Sequence, residues 1–474
     1  MTEYVPTIGL EIHAELNTRS KMFCGCSNNP DENNANTLIC PVCMAHPGTL
    51  PVINKEAIRY VLLVGCAVDG VIADFSEFDR KNYFYPDIPK GYQISQYKYP
   101  LISGGMINGV AITRIHMEED TASSAHATDS SLVNFNRAGV PLMELVTEPV
   151  IHDAETAVSF ARDLRLCLRY IGASNANLEK GEMRIEANIS IAPKNGPLGT
   201  KVEVKNLNSF KAVEQAIRFE IRRQTEALNA GTSVVQETRG WDENKQKTFS
   251  QRAKENSNDY RYFPDPDLPK LSLSDISAFS ELTLRESLPT LPWDLRVEYR
   301  TEGLREQAIE TLVNDIALNH FYRGVCANLH TEKERSLAVN YMTSDLLGLL
   351  ALPEYSSVDI QTLSTAEFAT IVRMIDTEQV SSRGAKEILA VWVAEGGDPE
   401  VIAKKIGILQ NSSVDELGDI IEKIIATHAS VVEDFRAGKE QALQFLVGQG
   451  MRLSKGAANP AMLRELLSRK INTH

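Results

Sequence analysis

The 474-residue sequence has no apolar stretch long enough to cross a membrane. Its longest run, near Tyr60–Val68, falls far short of the ~20 residues that a spanning helix requires. No charged-apolar-small leader opens the chain, so nothing argues for export, and a cytoplasmic, membrane-free setting is expected. Nucleotide and hydrolase signatures are missing as well: there is no GxxxxGK(S/T), no GxGxxG and no GxSxG. A P-loop, a dinucleotide fold and a serine-hydrolase elbow are therefore excluded as the basis of any chemistry. No repeat of 20–50 residues is apparent, which sets solenoids aside. The cysteines number seven, an odd count in a long chain that suits a reducing compartment better than a disulfide framework. A net charge of −14 makes wrapping nucleic acid over the whole surface untenable.

What is present is concentrated in a few places. Ala111–Pro149 places Arg114, His116, Glu118, Glu119, Asp120, Arg137, Glu144 and Glu148 among short β-branched runs. Carboxylates set on strands repel one another unless a cation or an arginine sits among them. The alternative, a surface hairpin with ordinary charges, is weakened because the same pattern recurs. In Ile8–Leu16 the side chains Ile8, Leu10, Ile12, Ala14 and Leu16 take one face while Glu11, His13 and Glu15 take the other. Glu182–Ile191 alternates likewise, with Arg184, Glu186, Asn188 and Ser190 turned from the core, and Lys201–Lys205 does so with Lys201, Glu203 and Lys205. Same-face neighbours on a strand lie roughly 7 Å apart, close enough for carboxylates and an imidazole to converge on one ion or phosphate. One sheet with a polar inner face is a site rather than a core.

Cys24-Gly-Cys26 and Cys40-Pro-Val-Cys43 are two close pairs across an Asn-rich loop, the donor set of a structural tetrahedral zinc, with His46 as an alternative ligand. Cys66, Cys167 and Cys326 read as core. Phe78–Tyr99 interleaves Tyr83, Phe84, Tyr85, Tyr92, Tyr97 and Tyr99 with Arg80, Lys81, Lys90 and Lys98, and Asn258–Pro269 is again dense in Tyr, Pro and Asp. Such rings stack bases or pack a core. Helices are predicted over Asp153–Ile171, capped by Asp153 and stopped by Gly172, and from about Phe210 to Leu228. From Leu291 onward the pattern turns helical, with Leu295–Gly303, Glu306–Asn319, Ser336–Leu350 and Thr365–Asp376, and Gly396-Gly-Asp-Pro as a linker. Between Phe435 and His474 seven basic residues face two acidic ones, which points to a local polyanion contact or to a solvated helical face.

The stretches IGLEIHAEL, FDRKNYFYPDIPKGYQISQ, ITRIHMEED, NRAGVPLMELVTEP, GTKVEVKNLNSF, QETRGWDE, NDYRYFPDPDLP and FLVGQGMRLSKGAANP, in that order along nearly the whole chain, resemble the B subunits of bacterial tRNA-dependent amidotransferases, the GatCAB complexes. The resemblance implies an α+β protein: a cradle domain on an antiparallel sheet (1–290) carrying the zinc loop at 24–43, a helical domain (291–400) and a helical YqeY-like tail (401–474). It implies ATP-dependent activation of the side-chain carboxylate of misacylated Glu-tRNA(Gln) and/or Asp-tRNA(Asn), then transamidation with ammonia. It also implies two partners, an amidase subunit and a small bridging subunit. By similarity, Glu11, His13, Glu119 and Glu144 surround Mg²⁺; Glu118, Glu186 and Asn188 form the next ring, and Arg184, Glu186, Asn188, Glu203 and Lys205 are the cofactor-binding residues. Lys81 and Lys90 would mark the exit of an ammonia channel, and Lys439, Arg452, Lys455 and Gly456 would meet tRNA backbone. Strict alternation over Ile112–Asp120 puts Glu118, not Glu119, with Arg114 and His116, so a Glu119 ligand requires the strand to bulge or end there. A zinc-stabilised RNA-binding protein without catalysis and, more weakly, a metal-dependent hydrolase remain the alternatives.

Overall fold

A computed structural model describes residues 3–126, 128–253, 260–409, 414–454, 458 and 460–472. The chain divides into two compact units, Met1–Pro292 and Trp293–His474.

The first unit is built on a ten-stranded sheet. Its central strand is Tyr4–Glu15, flanked by Pro141–Thr147 on one side and Met183–Pro193 on the other. Beyond Pro141–Thr147 come Val110–Glu119, Ile102–Ser103 and Val71–Ile72; beyond Met183–Pro193 come Val202–Leu207, Glu237–Asp242 and Lys247–Ala253. All these pairs are antiparallel except Val202–Leu207 with Glu237–Asp242, which run parallel. The expected purely antiparallel sheet is therefore corrected to a mixed one: the helix Phe210–Asn229 carries the chain across between those two strands, as a parallel crossover requires.

Period-two alternation decides which face is which. Ile8, Leu10, Ile12 and Ala14, together with Met183, Ile185, Ala187 and Ile189, are fully buried and join one core with the helices Lys55–Ala67, Ala154–Ile171 and Phe210–Asn229. Local signals fix the helix ends. Asp153 accepts from the Thr156 N–H and Gly172 closes the second helix in the left-handed region, as its sequence predicted. Asn54 caps the first and Ser209 the third. Gly65, inside the first helix, lies so close to Ile102 of the sheet that no Cβ fits without displacing it. The helices cover the apolar face and leave the polar rows on the other. A small three-stranded sheet, Phe263–Pro264, Asp79–Asn82 and Tyr92–Ser95, is anchored beside those rows by its contact with Val110–Glu119.

The second unit is helical among its described residues. Thr365–Asp376 forms as predicted, but the predicted Glu306–Asn319 helix breaks at Asp315, which leaves the helical region and caps a new helix, Ile316–Cys326, through the Leu318 N–H. Gly396–Pro399 is a tight joint in which Asp398 caps the helix that follows. Leu417, Ile421, Ile424, Leu446, Leu463 and Leu467 gather into a separate small core.

Candidate functional site

Strand register lays the polar residues out as a grid. His13 lies opposite Glu144 and Glu144 opposite His116, a row across three adjacent strands. In the next row Glu11 faces Glu186 on one side and Val146 on the other, with Arg114 beyond Val146. One step further Asn188 faces Glu203, and at the other end Glu118 faces Leu142. Side chains converge accordingly. His13 Nε2 is 3.3 Å from Glu144 Oε2, 3.8 Å from Glu118 Oε2 and 4.0 Å from Glu11 Oε1. His116 Nε2 is 3.5 Å from the same Glu144 oxygen and 3.8 Å from Glu118 Oε1. One carboxylate oxygen thus sits between two imidazoles.

Three overlapping donor groups have their atoms within 4.8 Å of one another: Glu11, His13 and Glu144; His116, Glu118 and Glu144; Glu11, Glu186 and Glu203. Carboxylate oxygens dominate, as a hard divalent cation such as Mg²⁺ demands. Asn188 Oδ1, buried along the last group's strand, has no hydrogen-bond partner among the described residues. The donor chemistry fits such an ion.

The electrostatics match the crowding. Burial alone would lower the His13 imidazole, but the hydrogen bond and charge of Glu144, backed by Glu118 and Glu11, lift it to about 9. Burial, with Glu144 and Glu186 nearby, raises Glu11 to about 7. Burial works against Glu144 and Glu118 too, yet His116 and His13 hold Glu144 down to about 2, and Lys81 and His116 hold Glu118 well below the usual carboxylate range. Lys205 donates to Glu186 at 2.6 Å, and Arg184 to Asp120 at 2.6 Å.

Glu119 is not part of this gathering. The Val110–Glu119 strand ends there without a bulge at that point, so Glu119 keeps the opposite face. Its Oε1 accepts from the Ile94 N–H at 2.9 Å and its Oε2 from Lys90 Nζ at 2.7 Å. Glu118 takes the position expected of Glu119, held by Ser95 Oγ at 2.7 Å and Gln93 Nε2 at 3.0 Å, with Lys81 Nζ at 3.7 Å. Two lysines thus serve two consecutive carboxylates on opposite sides of one strand. On the Glu119 side lies a cavity of about 280 Å³ lined by Lys21, Phe23, Cys43, Arg80 and Lys90, among others.

Cys24, Cys26, Cys40 and Cys43 come together with their sulfurs within 4.8 Å. Cys40 and Cys43 are 3.8 Å apart, the edge of a tetrahedron with bonds of about 2.3 Å. His46 lies outside the group. The Cys43 thiol is lowered to about 5 by the hydrogen bond from Cys24, helped against burial by Lys21. Cys66 and Cys167 are buried as expected, and Cys326 is half-buried.

Other expectations fall elsewhere. Arg137 donates to the Thr121 and Ala122 carbonyls and Glu148 accepts from Thr113, so both serve the scaffold. Lys439 pairs with Asp434 at 2.8 Å on the surface and Arg452 is exposed; Lys455 and Gly456 lie outside the described residues. Sequence reasoning passed over Gln93 and Ser95, although the alternation of Tyr92–Ser95 could have placed them together. It left His116 without a role although its strand parity with Glu118 was explicit.

Two family models match the chain: the GatB/GatE catalytic domain over residues 6–278 and the GatB domain over residues 325–471. Among curated proteins, the B subunit of the aspartyl/glutamyl-tRNA(Asn/Gln) amidotransferase of Elusimicrobium minutum is 43% identical, with 99% of each chain covered. The protein of the same name from Gloeothece citriformis is 39% identical over 99% of this chain and 98% of its own. That of Thermoanaerobacter sp. is 40% identical over 99% of this chain and 100% of its own.

Proposed function

From the premise that this chain belongs to the GatB family of tRNA-dependent amidotransferases, we propose a division of labour among its residues. The chain is a ligase component in the production of Gln-tRNA(Gln)/Asn-tRNA(Asn). The relatives' name carries a multi-subunit enzyme with it; an amidase subunit that frees ammonia from glutamine and a small bridging subunit are the partners we assign.

A carboxylate is a poor electrophile. Its oxygen first attacks the γ-phosphorus of ATP and expels ADP; ammonia then attacks the acyl carbon and expels phosphate, shedding a proton as the amide forms. Phosphoryl transfer asks the protein for positioning and charge compensation rather than covalent chemistry. Glu11, His13, Glu118 and Glu144, with His116 behind Glu144, would hold Mg²⁺, which when bound offsets negative charge on the phosphate oxygens. The observation that carries this reading is the convergence of these five side chains from three strands. Glu186, Asn188, Glu203 and Lys205 extend the grid toward the ATP phosphates, while Arg184 braces it through Asp120. Lys81 holds Glu118 from the acceptor side. On the far side, Lys90 and Glu119 close the cavity by which ammonia would arrive. The four cysteines would bind a structural zinc with no open position for substrate. Residues 291–400 and 401–474 are read as separate helical and tail domains, the tail's Lys439, Arg452, Lys455 and Gly456 meeting tRNA backbone.

The test is the reconstituted complex with misacylated tRNA, ATP and either glutamine or ammonium as nitrogen donor. Glu118→Gln is expected to abolish amidation with both donors. Glu119→Gln is expected to retain most of the ammonium-driven rate and lose most of the glutamine-driven one. Full turnover by Glu118→Gln, or equal loss from both variants with both donors, would overturn the assignment.

A further inference from the structure

Beside the carboxylate cluster, joined to it by Lys81, stands a group of aromatic rings. Tyr97 stacks on Tyr262, centroids 4.4 Å apart and planes within 13°. Tyr262 meets Tyr260 edge-on at 6.3 Å, and Tyr260 meets Tyr83 at 6.2 Å. Although its inner face is covered by Tyr262, Tyr97 remains 58% exposed. Phe84 and Tyr85, at the edge of the group, are 81% and 58% exposed. A water-facing patch of this kind on a folded chain marks a contact surface.

The group is held rigidly. Arg261, between Tyr260 and Tyr262, sits at φ +43°, a conformation that a non-glycine residue keeps only where its surroundings impose it. Asn82 imposes it, donating through Nδ2 to the Arg261 carbonyl at 2.8 Å and to the Tyr260 carbonyl at 3.2 Å. Arg80, on the same small sheet, is fixed by Asp265 and Asp267, each at 2.9 Å, and lies 4.3 Å over the Tyr92 ring. Pre-set rings of this kind lose little freedom when a ligand stacks on them.

Chemistry selects the occupant. Lys81 joins the two regions, its Nζ 3.7 Å from Glu118 Oε1 and 5.4 Å from the Tyr260 centroid. Lys98, exposed and next to Tyr97 in the chain, lies 5.0 Å over the Tyr99 ring, and Arg261 is exposed between Tyr260 and Tyr262. Flat π-faces with cations between them and a phosphoryl-transfer site suit a nucleobase whose phosphate or ribose ester points toward the carboxylates. We propose that Tyr97 and Tyr262, with Tyr260 and Lys81 on their inner side, form a stacking subsite for an adenine base of a substrate reacting at the carboxylate cluster. Two sources share that chemistry: ATP, and the terminal adenosine of tRNA that carries the aminoacyl ester. The inference rests on the function proposed above.

The experiment uses the assembled amidotransferase with ammonium as nitrogen donor, comparing the unmodified enzyme with Tyr97→Ala and Tyr97→Phe. Tyr97 is exposed, so neither variant threatens folding. ADP and the trinucleotide CCA serve as competing probes, and their binding to the unmodified enzyme is also measured directly by equilibrium dialysis. Loss of a stacked ring should raise one KM roughly tenfold or more with little change in kcat, weaken the matching probe by a similar factor, and be restored by Tyr97→Phe. A rise confined to ATP and ADP assigns the base to the nucleotide; one confined to tRNA and CCA assigns it to the acceptor end. Either supports the subsite. Unchanged KM values, an equal defect in Tyr97→Phe, or loss of partner subunits from Tyr97→Ala on gel filtration overturns it, the last making the patch a subunit interface. An unmodified complex that binds the probes yet amidates neither misacylated tRNA would sink the proposed function and not the subsite.

Discussion

Glu15 is where single side chains speak most plainly. It lies at the end of the central strand, buried, hydrogen-bonded to Asp120, and burial together with the Asp120 charge raises its carboxyl to about 8. Its folded value thus exceeds its unfolded one, so the folded state binds the extra proton. The stability this contributes is fully present below the ordinary carboxylate value of 4.5 and is lost as pH rises through about 8. A neutral donor at this position escapes that loss. Glu15→Gln is expected to match the unmodified chain in Tm near the lower end of that window and to exceed it increasingly as pH approaches the upper end; a constant difference across the range would refute the assignment. Alternation made Glu15 legible as a neighbour of His13 on one face, but nothing local could show that Asp120 and Arg184 would meet beside it. Those partners arrive from distant segments, and only register brings them there. Strand parity alone put Glu118 on the face of His116 and Glu119 on the other, which is where the two side chains lie.

Individual elements were legible in proportion to how locally they are determined. The helix from Ala154 to Ile171 carries its own cap and its own stop, and both ends stand where its residues placed them. The break at Asp315 was hidden because apolar periodicity runs on through it, and a capping side chain inside a periodic stretch gives no louder signal than an exposed one. The parallel strand pair was equally silent, since strand direction is a property of the connection rather than of the strand. One close approach between elements yields a direct test. With Gly65 pressed against Ile102, Gly65→Ala gains helix propensity yet overpacks the helix–sheet contact, and should destabilise the chain by about 1–3 kcal/mol in denaturant melts. Adding Ile102→Val should recover part of that loss, because the removed methyl frees space; strict additivity of the two changes would show that they do not share the contact.

At the scale of the whole molecule, the cysteine loop is sewn to distant chain. Asn136 Oδ1 accepts from the Thr37 and Leu38 N–H groups, its Nδ2 donates to the Asn34 carbonyl, and Lys21 donates to Phe135. Cys24 and Cys43 also line the cavity behind Glu119. For the zinc site proposed above, a chelator is expected to release about one equivalent of metal per chain, to lower Tm and to impair glutamine-driven amidation more than ammonium-driven amidation. A metal-free chain of undiminished Tm would refute a structural ion. The last residues of the Val110–Glu119 strand tie these regions together, because Glu118 and Glu119 are joined by a single peptide unit and look opposite ways. Two chambers therefore share a partition one strand thick, and inserting or deleting one residue upstream would swap the carboxylates they contain. Neither room could be redecorated alone.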